Sequence, residues 1–206
     1  FKCSGLTNIV TAVGGAWLES RELLLIGGQA KTADLARGNV RQIGHQEIDG
    51  VGIMRPITKE SVLVETPMDF SELQRLTELS RSGRKGPVFI EMCIDITARE
   101  VESTPSNKSD LAGEEHIPAQ AEIDSVVDLI EKAQRPLFLF GGGLSRECVK
   151  ASIEVLENVG IPASMTWNGA DRLPLEHKLN FGRPNTYGMR RGNVLIQQAD
   201  LVIALG

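Results

Sequence analysis

Leu137-Phe138-Leu139-Phe140-Gly141-Gly142-Gly143-Leu144-Ser145 is a short apolar run that breaks into three glycines and then meets a serine. The run has the length and composition of a buried strand. The glycines mark a turn, and serine is a favoured helix N-cap. Apolar residues then recur at helical spacing as far as Val159, where Gly160 stops the helix, and Ala163–Thr166 offers a second strand. Strand, helix and strand in that order form the βαβ unit of a parallel sheet.

The same rhythm extends in both directions. Further strands are expected at Leu23–Ile26, Ser61–Val64, Val88–Met92 and Leu201–Leu205. Helical spacing appears in Thr7–Leu18, Ser71–Leu79 (Ser71 as N-cap), Ile123–Ala133 and Val194–Ala199. One stretch departs from the pattern. Thr97 to Ala121 is polar, holds Pro105, Pro118 and three serines, and reads as an interdomain linker. The expected architecture is therefore α/β, with two parallel-sheet domains at 1–98 and 121–206 joined by a linker at 99–120.

Composition bounds the function. The chain has 206 residues, enough for one or two domains, and its 22 Lys plus Arg against 27 Asp plus Glu give a net charge of −5. An acidic chain without a basic cluster is a poor fit to nucleic acid or an anionic membrane surface. Hydrophobic residues at 41% and charged residues at 24% exclude intrinsic disorder. No apolar run approaches the roughly 20 residues of a membrane span, and there is no signal-peptide pattern. Cys3, Cys93 and Cys148 are odd in number and lack metal-ligand spacing, which points to a reduced, cytoplasmic setting. The chain opens without Met on a glycine turn and stops as an apolar strand ends, so it reads as an internal piece of a longer protein.

Several segments could carry chemistry. Amide groups of the three-glycine turn and the helix after it can hold a phosphate, or the glycines can simply make a tight turn. Leu23–Ile26 runs into Gly27-Gly28-Gln29, and a polar block follows from Arg41 through His45, Gln46 and Glu47 to Lys59. So many polar groups between apolar strands suggest a loop that lines a site, the alternative being a solvated connection. His45 has no Cys and no second His at ligand spacing; it is either a general base or a hydrogen-bonded structural residue. Glu47 and Asp49 are two apart and do not share a helix face, so they do not form a catalytic carboxylate pair. No metal site, Walker loop or nucleophile elbow occurs.

Taken in order, these segments resemble the thiamine-diphosphate-dependent enzymes of the acetolactate synthase type. Ser4-Gly5-Leu6-Thr7-Asn8 is similar to the family's Gly-Pro-Gly-Ala-Thr-Asn turn, and Leu24-Leu25-Ile26-Gly27-Gly28-Gln29 to its strand ending in Gly-Gln. Gln46-Glu47 with Ile57-Thr58-Lys59 resembles Phe-Gln-Glu…Ile-Thr-Lys, and Ser82-Gly83-Arg84-Lys85-Gly86-Pro87-Val88 resembles Ser-Gly-Arg-Pro-Gly-Pro-Val. Gly160-Ile161-Pro162, Thr166-Trp167-Asn168-Gly169 and Ala199-Asp200-Leu201-Val202-Ile203 resemble the central domain.

The resemblance implies the carboxyl-terminal part of a pyrimidine-binding domain followed by a Rossmann-like central domain. It implies decarboxylation of a 2-oxo acid and ligation of the remaining carbon unit to an acceptor. The implied cofactor is thiamine diphosphate with Mg²⁺, with the activating glutamate and the metal site outside this chain; FAD is the second implied cofactor. Implied partners are a 2-oxo acid substrate, a homodimer or homotetramer, and a regulatory subunit. As catalytic residues it implies Gln29, Gln46 and Lys59. As cofactor-binding residues it implies Gly5, Thr7, Asn8, Gly28, Gln29, Arg84, Gly142, Thr166, Trp167 and Gly182. His45 stands where the family has Phe, which implies a more polar donor or acceptor than pyruvate. The alternatives are a related enzyme of polysaccharide sugar biosynthesis, another thiamine-diphosphate-dependent decarboxylase or lyase, and a non-catalytic two-domain binding protein.

Overall fold

A computed structural model describes residues 3–101 and 117–206, with only the backbone described for Cys3 and Ser4. The chain divides into two compact units, residues 1–115 and 116–206. Most of the expected 99–120 linker, residues 102–116, lies outside the described residues.

In the first unit, α1 (Cys3–Leu6) and α2 (Val10–Leu18) precede β1 (Leu23–Gln29). A long loop leads to α3 (Gly50–Met54), followed by β2 (Glu60–Val64), α4 (Phe70–Arg81) and β3 (Pro87–Cys93). The strands form a parallel sheet in the order β1-β3-β2, with Gly27 and Leu63 flanking Glu91 in register. β3 is central and buried along nearly its whole length, as a parallel strand covered on both faces requires. Side chains alternate across it. Val88 and Ile90 pack with Val64 and Leu76 on the α4 side. Phe89 packs with Leu6, Val13 and Met54 on the other.

In the second unit, α5 (Gln120–Lys132), β4 (Pro136–Phe140), α6 (Arg146–Ala151), α7 (Ile153–Val159) and β5 (Ala163–Met165) are followed by α8 (Arg190–Gln198) and β6 (Leu201–Leu205). Their strands also run parallel, in the order β5-β4-β6. Phe140, Val149, Ala163, Met165 and Leu173 form the core. No helix among the described residues is long and apolar enough to cross a membrane.

The α/β class read from the sequence holds, and the differences are local. The N-cap of α4 is Asp69, not Ser71: the Asp69 carboxylate accepts the Ser71 N–H at 2.9 Å. The single helix expected over Ser145–Val159 is broken at Ser152, although Ser145 caps its start and the left-handed Gly160 ends it as expected. Thr7–Ile9 is a 3₁₀ turn ahead of α2.

Lys59, at the start of β2, serves this architecture. Its Nζ donates to the carbonyls of Leu79 at 2.6 Å and Ser82 at 2.7 Å, the free end of α4. A cation is well placed there, because the last carbonyls of a helix lack intrahelical partners and carry its negative dipole end. Burial holds the ammonium below its ordinary range. Lys59→Met keeps the aliphatic stem and removes the donors. It should lower stability by about 1–3 kcal/mol in a urea titration, whereas a residue confined to a substrate channel would alter kinetic constants and leave the midpoint in place.

Candidate functional site

The polar block and the ends of two strands converge on a cavity of about 430 Å³ in the first unit. Leu35 to Arg41 form one wall, Glu47 to Val51 the other, and Gln29, Leu63 and Glu91 close the back. This is the carboxyl end of the parallel sheet, where open α/β folds bind ligands.

The loop that makes these walls is organised by one carboxylate. Glu47 Oε1 accepts the Ala36 N–H at 2.6 Å, and Oε2 accepts those of Ile43 and Gly44 at 3.0 Å each. Burial works to raise its proton affinity, but the three N–H groups outweigh it and hold the carboxyl below the usual range. Asp49 caps α3 by accepting the Gly52 N–H at 2.7 Å. Both carboxylates are engaged with backbone N–H groups. Asp95 accepts both the N–H and the hydroxyl of Thr32, tying the loop after β1 to the end of β3.

Gln29 is the sequence-derived residue most firmly built into the cavity. It is 6% exposed. Its Nε2 donates to the Ile48 carbonyl at 2.8 Å, and its Oε1 accepts the Ala30 N–H at 2.8 Å. Gln46 lies in the adjoining wall segment, exposed and in the left-handed region at φ 61°. His45 beside it is also exposed. Gly28 is in β1, one residue before Gln29. Gly5, Thr7 and Asn8 belong to α1 and the 3₁₀ turn after it, with Thr7 and Asn8 exposed. None of the three lines the cavity, nor does Lys59. Arg84 is on the surface, its Nε donating to Ser20 Oγ at 2.8 Å.

One cavity residue is absent from the sequence-derived set. Glu91 is 2% exposed, in the middle of the otherwise apolar β3. The Gln29 amide and the Val51 N–H lie beside its carboxyl and favour its charged form, and its Oε1 has no hydrogen-bond partner among the described residues. The signal was legible: one charge inside Val88-Phe89-Ile90-Glu91-Met92 is a residue type almost never buried without a reason.

The second unit has its own cleft, of about 370 Å³, lined by Leu139, Thr166, Trp167, Pro184, Asn193 and Ile196 among others. Thr166 and Trp167 follow the end of β5, and the Thr166 N–H is tied to the Phe140 carbonyl at 2.9 Å. Trp167 is half exposed, with the Arg183 guanidinium 4.5 Å from its ring centre. The chain reaches Arg183 through Gly182, whose φ of +82° suits glycine. Gly142, in the turn after β4, is exposed, and its carbonyl accepts from Arg172 at 2.9 Å. Arg172 also donates to the Leu144 carbonyl and is held by Asp171, so the glycine turn is braced from behind. The structure thus brings Thr166 and Trp167 into one cleft, while Gly142 and Gly182 do not line it.

Residues 123–206 match the family model described as the thiamine pyrophosphate enzyme central domain. Over 99% of this chain, 34% of residues are identical to the acetolactate synthase isozyme 1 large subunit of Escherichia coli, of which the match covers 36%. The acetolactate synthase large subunit of Corynebacterium glutamicum is 31% identical over 98% of this chain and 32% of its own length. The probable acetolactate synthase large subunit of Methanocaldococcus jannaschii is 30% identical over 98% and 34%. The chain spans about a third of the length of these relatives. Residues 123–206 are thus a thiamine pyrophosphate enzyme central domain, and nearly the whole chain is similar to acetolactate synthase large subunits.

Proposed function

We propose that the protein carrying this chain is a thiamine-diphosphate-dependent carboligase that decarboxylates a 2-oxo acid and joins the remaining carbon unit to an acceptor, acetolactate formation being the reference case. The observation that carries the reading is the match of 98–99% of the chain to acetolactate synthases, combined with a polar cavity at the strand ends. Residues 1–98 are then the end of a pyrimidine-binding domain.

The donors present suit such a cofactor. Gln29 is a neutral amide held by the Ile48 carbonyl and the Ala30 N–H, and Gly28 beside it adds no side-chain bulk. With Gly5, Thr7 and Asn8 these are the groups on this chain that would hold the cofactor. Bound thiamine diphosphate supplies carbanion chemistry at a 2-oxo carbon. The chain's own part is orientation: Gln29 presents a fixed dipole, while Gln46 has no side-chain hydrogen bond among the described residues and is free to bond a substrate. Magnesium would be held elsewhere. The central domain would take FAD, with Trp167 and Arg183 as a stacking platform and Thr166, Gly142 and Gly182 as further contacts. Relatives described as large subunits favour a partner subunit, and a homodimer or homotetramer is the expected assembly.

Gln46→Ala in the full-length protein should lower kcat/KM for carboligation of a 2-oxo acid on the order of tenfold, with the melting temperature unchanged. Gln29→Ala should lower both, because its amide also joins β1 to the loop. Equal kinetics for wild type and Gln46→Ala would remove Gln46 from the site.

The flavin reading is tested by the visible spectrum of the purified full-length protein. Flavin absorption should be present or appear on incubation, and Trp167→Ala should weaken flavin binding roughly tenfold, the scale of a stacking contact worth about 0.5–1.5 kcal/mol. A protein that stays colourless leaves the cleft as a packing feature.

A further inference from the structure

We propose that Glu91 is a positioning residue of this site: its buried carboxyl sets the placement of the Gln29 amide and of the Gly50–Val51 turn, and so makes the cavity wall responsive to pH. The inference rests on the carboligase reading for its kinetic consequence but not for its structural one.

The geometry is a three-element junction. Glu91 is on the central strand, on the same face as Phe89, between Gly27 of β1 and Leu63 of β2. Gln29, at the end of β1, and Val51, in α3, line the same cavity beside it, and their N–H groups favour its charged form. Gln29 in turn holds the Ile48 carbonyl. A single carboxyl therefore joins β1, β3 and α3 at the back of the cavity. The approach is close: a Cβ at Gly50 would collide with the Glu91 carboxyl and with Leu6. Only glycine admits the carboxyl here, so the buried group and the turn are matched to each other.

A buried carboxylate needs partners on both oxygens, and Oε1 has none among the described residues. Burial pushes the carboxyl from its ordinary 4.5 up to about 7, opposed by the bonds from Gln29 and Val51 and reinforced by the Asp49 charge. The other charged groups on the cavity are Glu47, spent on the loop amides, and Arg37 and Arg41 in the facing wall. Arg37 is paired with Glu65. From β1, β2 and α1 the neighbours Gly27, Leu63 and Leu6 are uncharged. The sign follows from linkage. Above about pH 4.5 the unfolded chain releases this proton while the folded chain keeps it, so the folded state loses stability as pH rises, until the folded group ionises at about 7. Ionisation at the junction then draws the Gln29 amide and the Val51 N–H toward a full charge, which they favour, while burial opposes it, so the placement of both changes with the proton.

The experiment uses the full-length protein as wild type, Glu91→Gln, Glu91→Ala, Gln29→Ala and the double variant, melted between about pH 5 and pH 9. Glu91→Gln keeps the shape and loses the proton. Its melting temperature should gain several degrees on wild type as pH rises from about 5 to about 7 and keep that gain above, and curves parallel over the whole range would overturn the proposal. Gln29→Ala should cost less in the Glu91→Ala background than in wild type; additive losses would show that the two residues do not act together. In carboligation, Glu91→Ala should lower kcat about tenfold or more at little changed KM, the scale of a misplaced wall group. Glu91→Gln should recover most of that loss and flatten the pH–rate profile near neutrality. An equal loss in both variants, or an unaltered profile, would make Glu91 a packing carboxyl only. If Glu91→Ala does not fold, Glu91→Gln decides through its two pH curves. Should the wild type catalyse no carboligation, the proposed function fails, and the melting and coupling arms still decide whether Glu91 governs Gln29.

Discussion

A strand sealed on both faces is the constraint on which the first unit depends. β3 is paired on both edges, and helices cover it above and below, so its side chains must be apolar and its backbone groups are consumed by the ladder. Polar chemistry can emerge only where the strands end. That is where Gln29 terminates β1 and where the long loop after it folds back. Glu91 is the exception inside the sealed strand, and it is tolerated because β1 and α3 present an amide, an N–H and a glycine at the one place where its carboxyl reaches. A buried acid without those neighbours would cost several kcal/mol.

The fold was legible because its signals are local and redundant. Short apolar runs ending in Gly27-Gly28-Gln29 and Gly141-Gly142-Gly143, alternating with amphipathic stretches, admit little besides βαβ units. What escaped was competition between neighbouring groups of similar type. Asp69 and Ser71 are both good caps two residues apart, and the aspartate wins because its carboxylate reaches the Ser71 N–H. The break at Ser152 carries no glycine or proline to announce it. Both differences depend on which backbone group is left free, which periodicity does not encode.

The site was legible in outline and less so in its roles. The polar block from Arg41 to Lys59 reads as a site-lining loop, and part of it does form a wall of the cavity. Sequence alone cannot say which of its polar side chains are consumed in building the loop. Glu47, Asp49 and Lys59 all satisfy backbone groups: loop amides, the start of α3 and the end of α4. A loop of this length has many orphan N–H and C=O groups, so charged side chains at its turns are drawn to them first. Glu91 escaped for the opposite reason. It lies outside the block, some forty residues on, and only the pairing of β3 between β1 and β2 brings it to the same cavity.

That division of labour narrows where substrate preference can reside. A side chain already committed to a carbonyl or an amide must lose that bond before it can make one to a ligand, and the cost is comparable to the bond gained. Gln29, Glu47 and Asp49 therefore act as fixed dipoles and charges in the wall. Arg41, His45 and Gln46 make no side-chain hydrogen bond among the described residues, and all three are exposed on or beside the same loop. They can turn toward a ligand without dismantling the wall. Chemically they are a guanidinium, an imidazole and an amide, a set able to bond a carboxylate and a polar substituent together. The committed groups hold the cavity in shape, and the uncommitted ones are those that can bond a ligand without undoing it.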